Sequence, residues 1–272
     1  MAKHSRIEWT HHTFNPWWGC VKVSPACAHC YAETWANRLG AKIWGRDQPR
    51  RFFTDEHWRH PIRWNAEAEK DRVRRRVFCA SMADVFEIRA ELNPWRERLW
   101  QLIEQTDWLN WLLLTKRPQN IRRMAPWGDN WPTNVWLGTT AETQKHAELR
   151  IPQLLDSPTR IHFISAEPLL GPLSLNNWSG INWVIAGGES GHGARPTNPA
   201  WVRSLRDECR DSGIAFHFKQ WGHWAPELPH GITPRQELQL TSGGNVQTTL
   251  YGLGKTAAGR LLDGRTWDQF PA

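Results

Sequence analysis

The chain has 272 residues, with 34 Lys and Arg against 27 Asp and Glu, a formal net charge of +7. No run of eighteen apolar residues occurs, and Met1-Ala2-Lys3-His4-Ser5-Arg6 lacks an apolar core. No spanning helix and no secretory leader are therefore expected, and the expectation is a cytoplasmic protein with no membrane partner. The length suits one large α/β barrel or two ordinary domains. The basic excess permits an anionic partner such as nucleic acid. Twenty tryptophans against two tyrosines require many indoles in the core, and leave others to stack on bases.

Ile7 to Asn15 alternates loosely and reads as a strand. The loop behind it carries three of the five cysteines, Cys20, Cys27 and Cys30, spaced C-x6-C-x2-C. Cys27 and Cys30 are three apart, so one turn sets both sulfurs on one side. The longer gap can return Cys20 to the same point. Three thiolates with no fourth cysteine nearby leave one coordination position open. Zinc would fill it with His29, or with His4, His11 or His12. A four-iron cluster would keep one iron free for a small molecule. A disulfide with a spare thiol is the arrangement a cytosolic C-x2-C disfavours. Cys79, in an apolar run, and Cys209, on an apolar helix face, read as core.

Tyr31 to Leu39 reads as a helix stopped by Gly40. Residues 41–76 read as an irregular charged insertion. Ten Lys/Arg against six Asp/Glu lie between Arg46 and Arg76, interleaved with Phe52, Phe53, Trp58 and Trp64. That mixture suits phosphate binding and base stacking, or equally a solvated insertion anchored by its aromatics. Strands follow at Val77–Ser81, Trp111–Thr115, Asn134–Gly138, Ile161–Ser165, Asn182–Ala186 and Ala215–Lys219. Between them run helical stretches: one capped by Asn93 with Pro94, one around Gln119–Met124, Ala141–Leu155 with a kink or break at Pro152, and one capped by Asn198 and stopped by Gly213.

With the lead-in strand this makes about seven strands separated by helices. The expected fold class is α/β: a partial or near-complete parallel (β/α) barrel, TIM-like, with an irregular C-terminal extension. The expected domains are the barrel at 1–222, with its insertion at about 41–76, and an extension at 223–272 packed on it. The extension includes a hairpin turn at Ser242-Gly243-Gly244-Asn245. Ligands gather at the carboxyl ends of parallel strands. The polar residues there are Ser81 and Asp84, Thr115 and Lys116, Thr139 and Thr140, Glu167, Glu189 and Ser190, then Lys219 and Gln220. Gly187-Gly188-Glu189-Ser190-Gly191 lets backbone approach a ligand closely, or is an ordinary strand-to-helix turn. Gly254-Lys255-Thr256 lacks the strand–loop–helix context of a phosphate loop.

Phe14-Asn15-Pro16-Trp17-Trp18-Gly19-Cys20 and Cys27-Ala28-His29-Cys30-Tyr31-Ala32 resemble the phage-encoded three-Cys-motif family, which is itself similar to radical S-adenosylmethionine enzymes. So do Leu114-Thr115-Lys116-Arg117-Pro118, Ile164-Ser165-Ala166-Glu167-Pro168-Leu169, the Gly-Gly-Glu segment, Lys219-Gln220-Trp221-Gly222 and Ala258-Gly259-Arg260-Leu261-Leu262-Asp263-Gly264. The resemblance spans nearly the whole chain. It implies a 4Fe-4S cluster held by Cys20, Cys27 and Cys30. The free iron would chelate S-adenosylmethionine, whose reductive cleavage yields a 5′-deoxyadenosyl radical that abstracts hydrogen. Two departures stand out: the usual radical-enzyme spacing is C-x3-C-x2-C, and Ser81-Met82-Ala83-Asp84 stands where such enzymes commonly carry Gly-Gly-Glu.

The expected cofactor contacts are Ser81, Asp84, Thr115, Lys116, Glu167, Glu189 and Ser190. The expected function is a radical enzyme acting on a nucleic acid or nucleotide. The rival is a zinc-stabilised nucleic-acid-binding protein without catalysis, and a purely structural cluster is a third reading. Any protein partner is unknown.

Overall fold

The computed structural model describes residues 2–175, 178–242 and 245–272. The elements in chain order are β1 (His12–Thr13), α1 (Tyr31–Arg38), α2 (Asp55–Lys70), β2 (Arg75–Cys79), α3 (Asn93–Glu104), β3 (Leu109–Thr115), α4 (Ile121–Met124), β4 (Val135–Thr140), α5 (Gln144–Leu155), β5 (Ile161–Ala166), β6 (Trp183–Gly187), α6 (Pro199–Asp211), β7 (Ala215–Gln220), β8 (Trp224–Ala225), β9 (Glu237–Ser242), β10 (Asn245–Gly252) and α7 (Lys255–Ala258). Strands β1 to β7 follow one another in chain order in one sheet, the topology of a partial parallel (β/α) barrel. The α/β class read from the sequence is therefore the one found. No described helix is long and apolar enough to cross a membrane. The chain divides into two compact units, Met1–Thr139 with Leu149–Phe163, and Thr140–Glu148 with Ile164–Ala272.

In the first unit, β1 to β4 are parallel, and the register runs His12 opposite Val77, Val77 opposite Trp111, and Trp111 opposite Val135. Every residue of β4 is buried, as expected of a parallel strand covered on both faces. The lead-in strand is shorter than the Ile7–Asn15 reading, since only His12 and Thr13 enter the ladder. Segment 41–76 is not irregular throughout, because α2 occupies Asp55–Lys70. Its buried stripe is Trp58, Pro61, Trp64 and Ala68, a helical spacing that the charged residues between them obscure. Trp58 and Trp64 are core residues at 3% and 1% exposure, so neither is a surface for stacking bases. Phe52 stacks on Trp95, and Phe53 stacks on His57. The outward arginines Arg59 and Arg63 both pair with Glu56. In α3, Leu92 rather than Asn93 is the cap; Asn93 begins the helix and its Oδ1 accepts from Arg96.

In the second unit, β6 and β7 are parallel, with Trp183 opposite Ala215. Helix α6 is capped as its sequence indicates: Asn198 Oδ1 accepts from the Ala200 amide at 2.9 Å. Val202, Leu205 and Cys209 are its buried face. The C-terminal segment runs back along β7: the Phe218 amide donates to Trp267 O, and the Gln269 amide donates to Phe216 O. That closes an edge that would otherwise expose a row of unpaired amides. Strands β8, β10 and β9 form a small antiparallel sheet. Gly243 and Gly244, read from the sequence as a hairpin turn, lie outside the described residues. Helix α5 runs through Pro152 without ending there, so the break expected at that proline is absent. Among the described residues nine tryptophans are buried, Trp17, Trp111 and Trp183 completely, consistent with the reading of many indoles as core. Cys79 and Cys209 are also fully buried.

One glycine is fixed by strand packing alone. A Cβ on Gly138 in β4 would lie 2.3 Å from the Phe163 ring, and both residues are in the first unit. Gly138→Ala is expected to destabilise the protein by about 1–3 kcal/mol in urea unfolding. Phe163→Leu in the same chain should return part of that loss, and simple additivity of the two changes would contradict this packing account.

Candidate metal and cofactor site

The cysteine loop leaves β1 at its carboxyl end and is anchored on the next strand's loop. The Gly19 amide donates to Met82 O at 3.0 Å, and the Gly45 amide donates to Cys20 O at 2.9 Å. Gly19 has φ +114, and a Cβ there would lie 2.5 Å from Ile43 O, so only glycine fits. Asn15 joins the same two segments: its Oδ1 accepts from the Met82 amide at 2.7 Å, and its Nδ2 donates to Ser81 Oγ at 3.1 Å. Tyr31 OH donates to Ser81 O. Beneath the loop, the buried Arg50 guanidinium pairs with Glu87, Nη2 to Oε1 2.5 Å, both side chains being 4% exposed or less. Arg50 also donates to the carbonyls of Ile43, Gly45 and Gln48. Removing one partner of a buried pair like this costs about 3–5 kcal/mol, because the other charge is stranded.

All five cysteines are free thiols. Cys20, Cys27 and Cys30 share one loop and are partly buried. Among the described residues, no three His, Cys, Asp or Glu side chains are grouped as a metal cage. The loop therefore carries the donors together in sequence without a preassembled set. Burial pushes the Cys20 thiol up to about 12, Asp84 adds to the rise, and Arg117 opposes it. Burial also raises Cys30; the amides of Glu33 and Ala32 and the Lys116 ammonium oppose that rise, and Cys27 adds to it. Helix α1 begins at Tyr31 with Cys30 as its cap residue, which places those amides at the sulfur. The donor set is thus three soft sulfurs, two held protonated by burial, with cations alongside. Soft thiolates select zinc or iron–sulfur clusters, and a coordinating metal deprotonates such thiols outright. These residues fit a thiolate-bound metal.

Asp84 organises the ends of β2 and β3. Its Oδ1 accepts from Thr115 Oγ1 at 2.7 Å and from the Phe86 amide at 3.0 Å; its Oδ2 accepts from Arg117 Nη1 at 2.7 Å and from the Lys116 amide at 3.2 Å. Arg117 then reaches the cysteine loop, with Nη2 donating to Val21 O at 2.9 Å and Nη1 lying 3.8 Å from Cys20 Sγ. Burial works against the Arg117 charge, but Asp84 and Cys20 outweigh it and hold the guanidinium protonated. Ser81, Asp84, Thr115 and Lys116 are therefore brought to one strand-end cluster beside the cysteine loop. Arg117 and Asn15 belong to that cluster and were not singled out from the sequence. The signal for Arg117 was its place in Leu114-Thr115-Lys116-Arg117-Pro118, but the direction of its side chain is not readable there.

Glu167, Glu189 and Ser190 lie in the second unit. Glu167, just after β5, accepts from Lys219 Nζ at 2.7 and 2.9 Å. Glu189 is 6% exposed and accepts from the Arg195 amide at 2.8 Å, from its Nε at 2.9 Å and from its Nη2 at 2.5 Å. Both carboxylates are thus ion-paired within the chain. Ser190 is half-buried. The Gly187-Gly188 pair serves chain packing: a Cβ on Gly188 would lie 2.0 Å from Trp221 O.

Of the histidines proposed as a fourth zinc ligand, His29 is exposed on the cysteine loop, while His11 and His12 have partners away from it. His11 Nδ1 accepts from the Arg76 amide at 2.8 Å, and burial first, then Arg76, lowers its pKa to about 4. His12 donates to Lys3 O and stacks on Trp64 at 4.4 Å. His4 lies in the same N-terminal segment, close enough to act on the His12 charge.

A family model described as a protein of unknown function, DUF5131, matches residues 4–271. The chain belongs to that family. No curated protein matches it. Among solved structures it is similar to a point-substituted spore photoproduct lyase, at 11% identity and a TM-score of 0.46, covering 92% of this chain and 70% of that one.

The pH dependence of Cys20 follows from its surroundings. The thiolate is the nucleophile, and a thiol held near 12 is almost wholly protonated at neutral pH. Alkylation of Cys20 in the metal-free protein, followed by peptide mass spectrometry, should rise about tenfold per pH unit between pH 8 and 10. Arg117→Gln should slow it at every pH. A plateau near pH 9 would contradict this.

Proposed function

We propose that this chain is an iron–sulfur, S-adenosylmethionine-dependent radical enzyme acting on a nucleic acid or nucleotide. One observation carries the reading. Three free thiols sit on one loop at the carboxyl end of a parallel strand, with a buried carboxylate–guanidinium pair directed at one of them. With no fourth cysteine beside them, three thiolates on a four-iron cluster leave one iron for a small chelating ligand.

Cys20, Cys27 and Cys30 would hold the cluster. When bound, it supplies an electron to the sulfonium of S-adenosylmethionine. The chain's own residues do the rest of the work in this account. Asp84 holds Arg117 in place, and Arg117 sets a positive charge and a donor at Cys20 Sγ, the kind of contact that tunes a cluster's potential. Lys116 adds a second cation near Cys30. Ser81 and Thr115 are the remaining strand-end hydroxyls assigned to the cofactor in this unit. Glu167, Glu189 and Ser190, also expected from the sequence to contact the cofactor, lie in the other unit, where Glu167 is paired with Lys219 and Glu189 with Arg195. The zinc alternative would take His29 as its fourth ligand, since His11 and His12 have partners away from the loop.

Anaerobic reconstitution with iron and sulfide should give a brown protein with about four irons per chain. Cys20→Ala, Cys27→Ala and Cys30→Ala should each lose most of that iron, while Cys79→Ala and Cys209→Ala should keep it. Under a strong reductant, the reconstituted protein should cleave S-adenosylmethionine to 5′-deoxyadenosine. A colourless protein that takes up only zinc would overturn the proposal.

A further inference from the structure

A cleft of about 500 Å³ opens beside the cysteine loop, wholly within the first unit. Arg46, Arg89, Lys116, Arg117 and Arg150 line it, brought together from separate stretches of the chain. Glu87 is the one acidic residue on the wall, and its charge is taken up by the buried Arg50. Arg89 is fixed by donating to the carbonyls of Arg46 and Gln48 and by pairing with Glu91. Arg117 is fixed from behind by Asp84. Arg89 and Arg117 are thereby ion-paired and Arg150 is buried, so the net positive charge of the wall comes chiefly from Arg46 and Lys116, beside arginine donors held in place before any ligand arrives.

The rim has the opposite character. Ile88, Leu149 and Val23 are 65%, 56% and 46% exposed, and all three line this one cleft. Large apolar side chains left in water and gathered around one opening mark a binding surface. Gln119 and Gln153 add amide groups that can both donate and accept. The volume is that of a small-molecule site rather than a flat docking face.

We infer that this cleft binds a nucleoside phosphate unit, free or within a single strand, with the phosphate on the arginine–lysine wall and the sugar and base against Val23, Ile88 and Leu149. The inference deepens the proposed function and rests on its reading of a phosphate-bearing substrate. It places the contact in this cleft and not on α2, whose tryptophans are buried and offer no face for a base.

The test is a fluorescence anisotropy titration of a labelled single-stranded oligonucleotide, with AMP and inorganic phosphate as competitors. It is run on full-length protein with and without reconstituted iron. Arg46→Gln with Lys116→Gln should weaken binding tenfold or more and reduce the slope of log affinity against log salt by about two. Ile88→Ser with Leu149→Ser should weaken the oligonucleotide and AMP but not phosphate. Arg59→Gln with Arg63→Gln removes the same charge from α2 and should leave binding unchanged. Thermal melting confirms that each variant is folded.

Competition by AMP identifies a free nucleotide as sufficient, and binding of the strand alone identifies the strand. Phosphate competing as well as AMP would overturn the nucleoside assignment. Undiminished binding in a folded Arg46→Gln, Lys116→Gln protein, or equal loss in the α2 control, would overturn the cleft. Binding by iron-free protein that never takes up iron would sink the radical-enzyme reading while leaving the cleft standing.

Discussion

The arrangement around the cysteines depends on one buried carboxylate. Asp84 accepts four hydrogen bonds, from Thr115, the Phe86 and Lys116 amides, and Arg117. A buried carboxylate is tolerated only when its lone pairs are filled in this way. Filling them fixes the ends of two neighbouring strands to each other and turns the Arg117 guanidinium toward Cys20. The cation then sits in protein of low effective dielectric, where its influence on a nearby sulfur is far larger than in water. Two opposed terms meet at that sulfur: burial disfavours the thiolate, and Arg117 favours it. Burial wins in the chain as it stands, so a metal held there would have to displace protons on binding.

A second buried pair does purely structural work. Arg50 and Glu87 hold residues 43–50 under the cysteine loop by one ion pair and several carbonyl contacts. Such pairs contribute little net stability, but breaking one is costly. Gly19 shows the tightness of the fit, since its backbone passes within contact of Ile43 O with no room for a side chain. The same pair removes the one negative charge that would otherwise face the basic cleft. Loop anchoring and cleft electrostatics therefore depend on one interaction.

Much of the scaffold was legible because parallel strands are short apolar runs between polar ends. Val77-Phe78-Cys79 and Leu112-Leu113-Leu114 can hardly be anything else. The N-cap of α6 was legible because Asn198-Pro199 has a local physical meaning. Helix α2 was not, because Arg59, His60, Arg63 and an internal Pro61 mask a stripe of Trp58, Trp64 and Ala68. The same masking left two readings of those tryptophans open, stacking surface or anchoring core, and the fold makes them core. At the site, residue types were legible and their pairings were not. Arg117, Glu189 with Arg195, and Glu167 with Lys219 are ionic partners set by chain folding rather than by spacing. Composition likewise located positive charge in the 46–76 segment, whereas the cleft draws four of its five cations from outside that segment.

The most direct test of the central claim is electron paramagnetic resonance of the reduced, reconstituted protein, recorded with and without S-adenosylmethionine. Three thiolates on a four-iron cluster leave one iron accessible, so adding the cofactor should shift the cluster's g values, and replacing Cys20, Cys27 or Cys30 should abolish the signal. A cluster spectrum that does not change with the cofactor would mean that no iron is open, and would contradict the account.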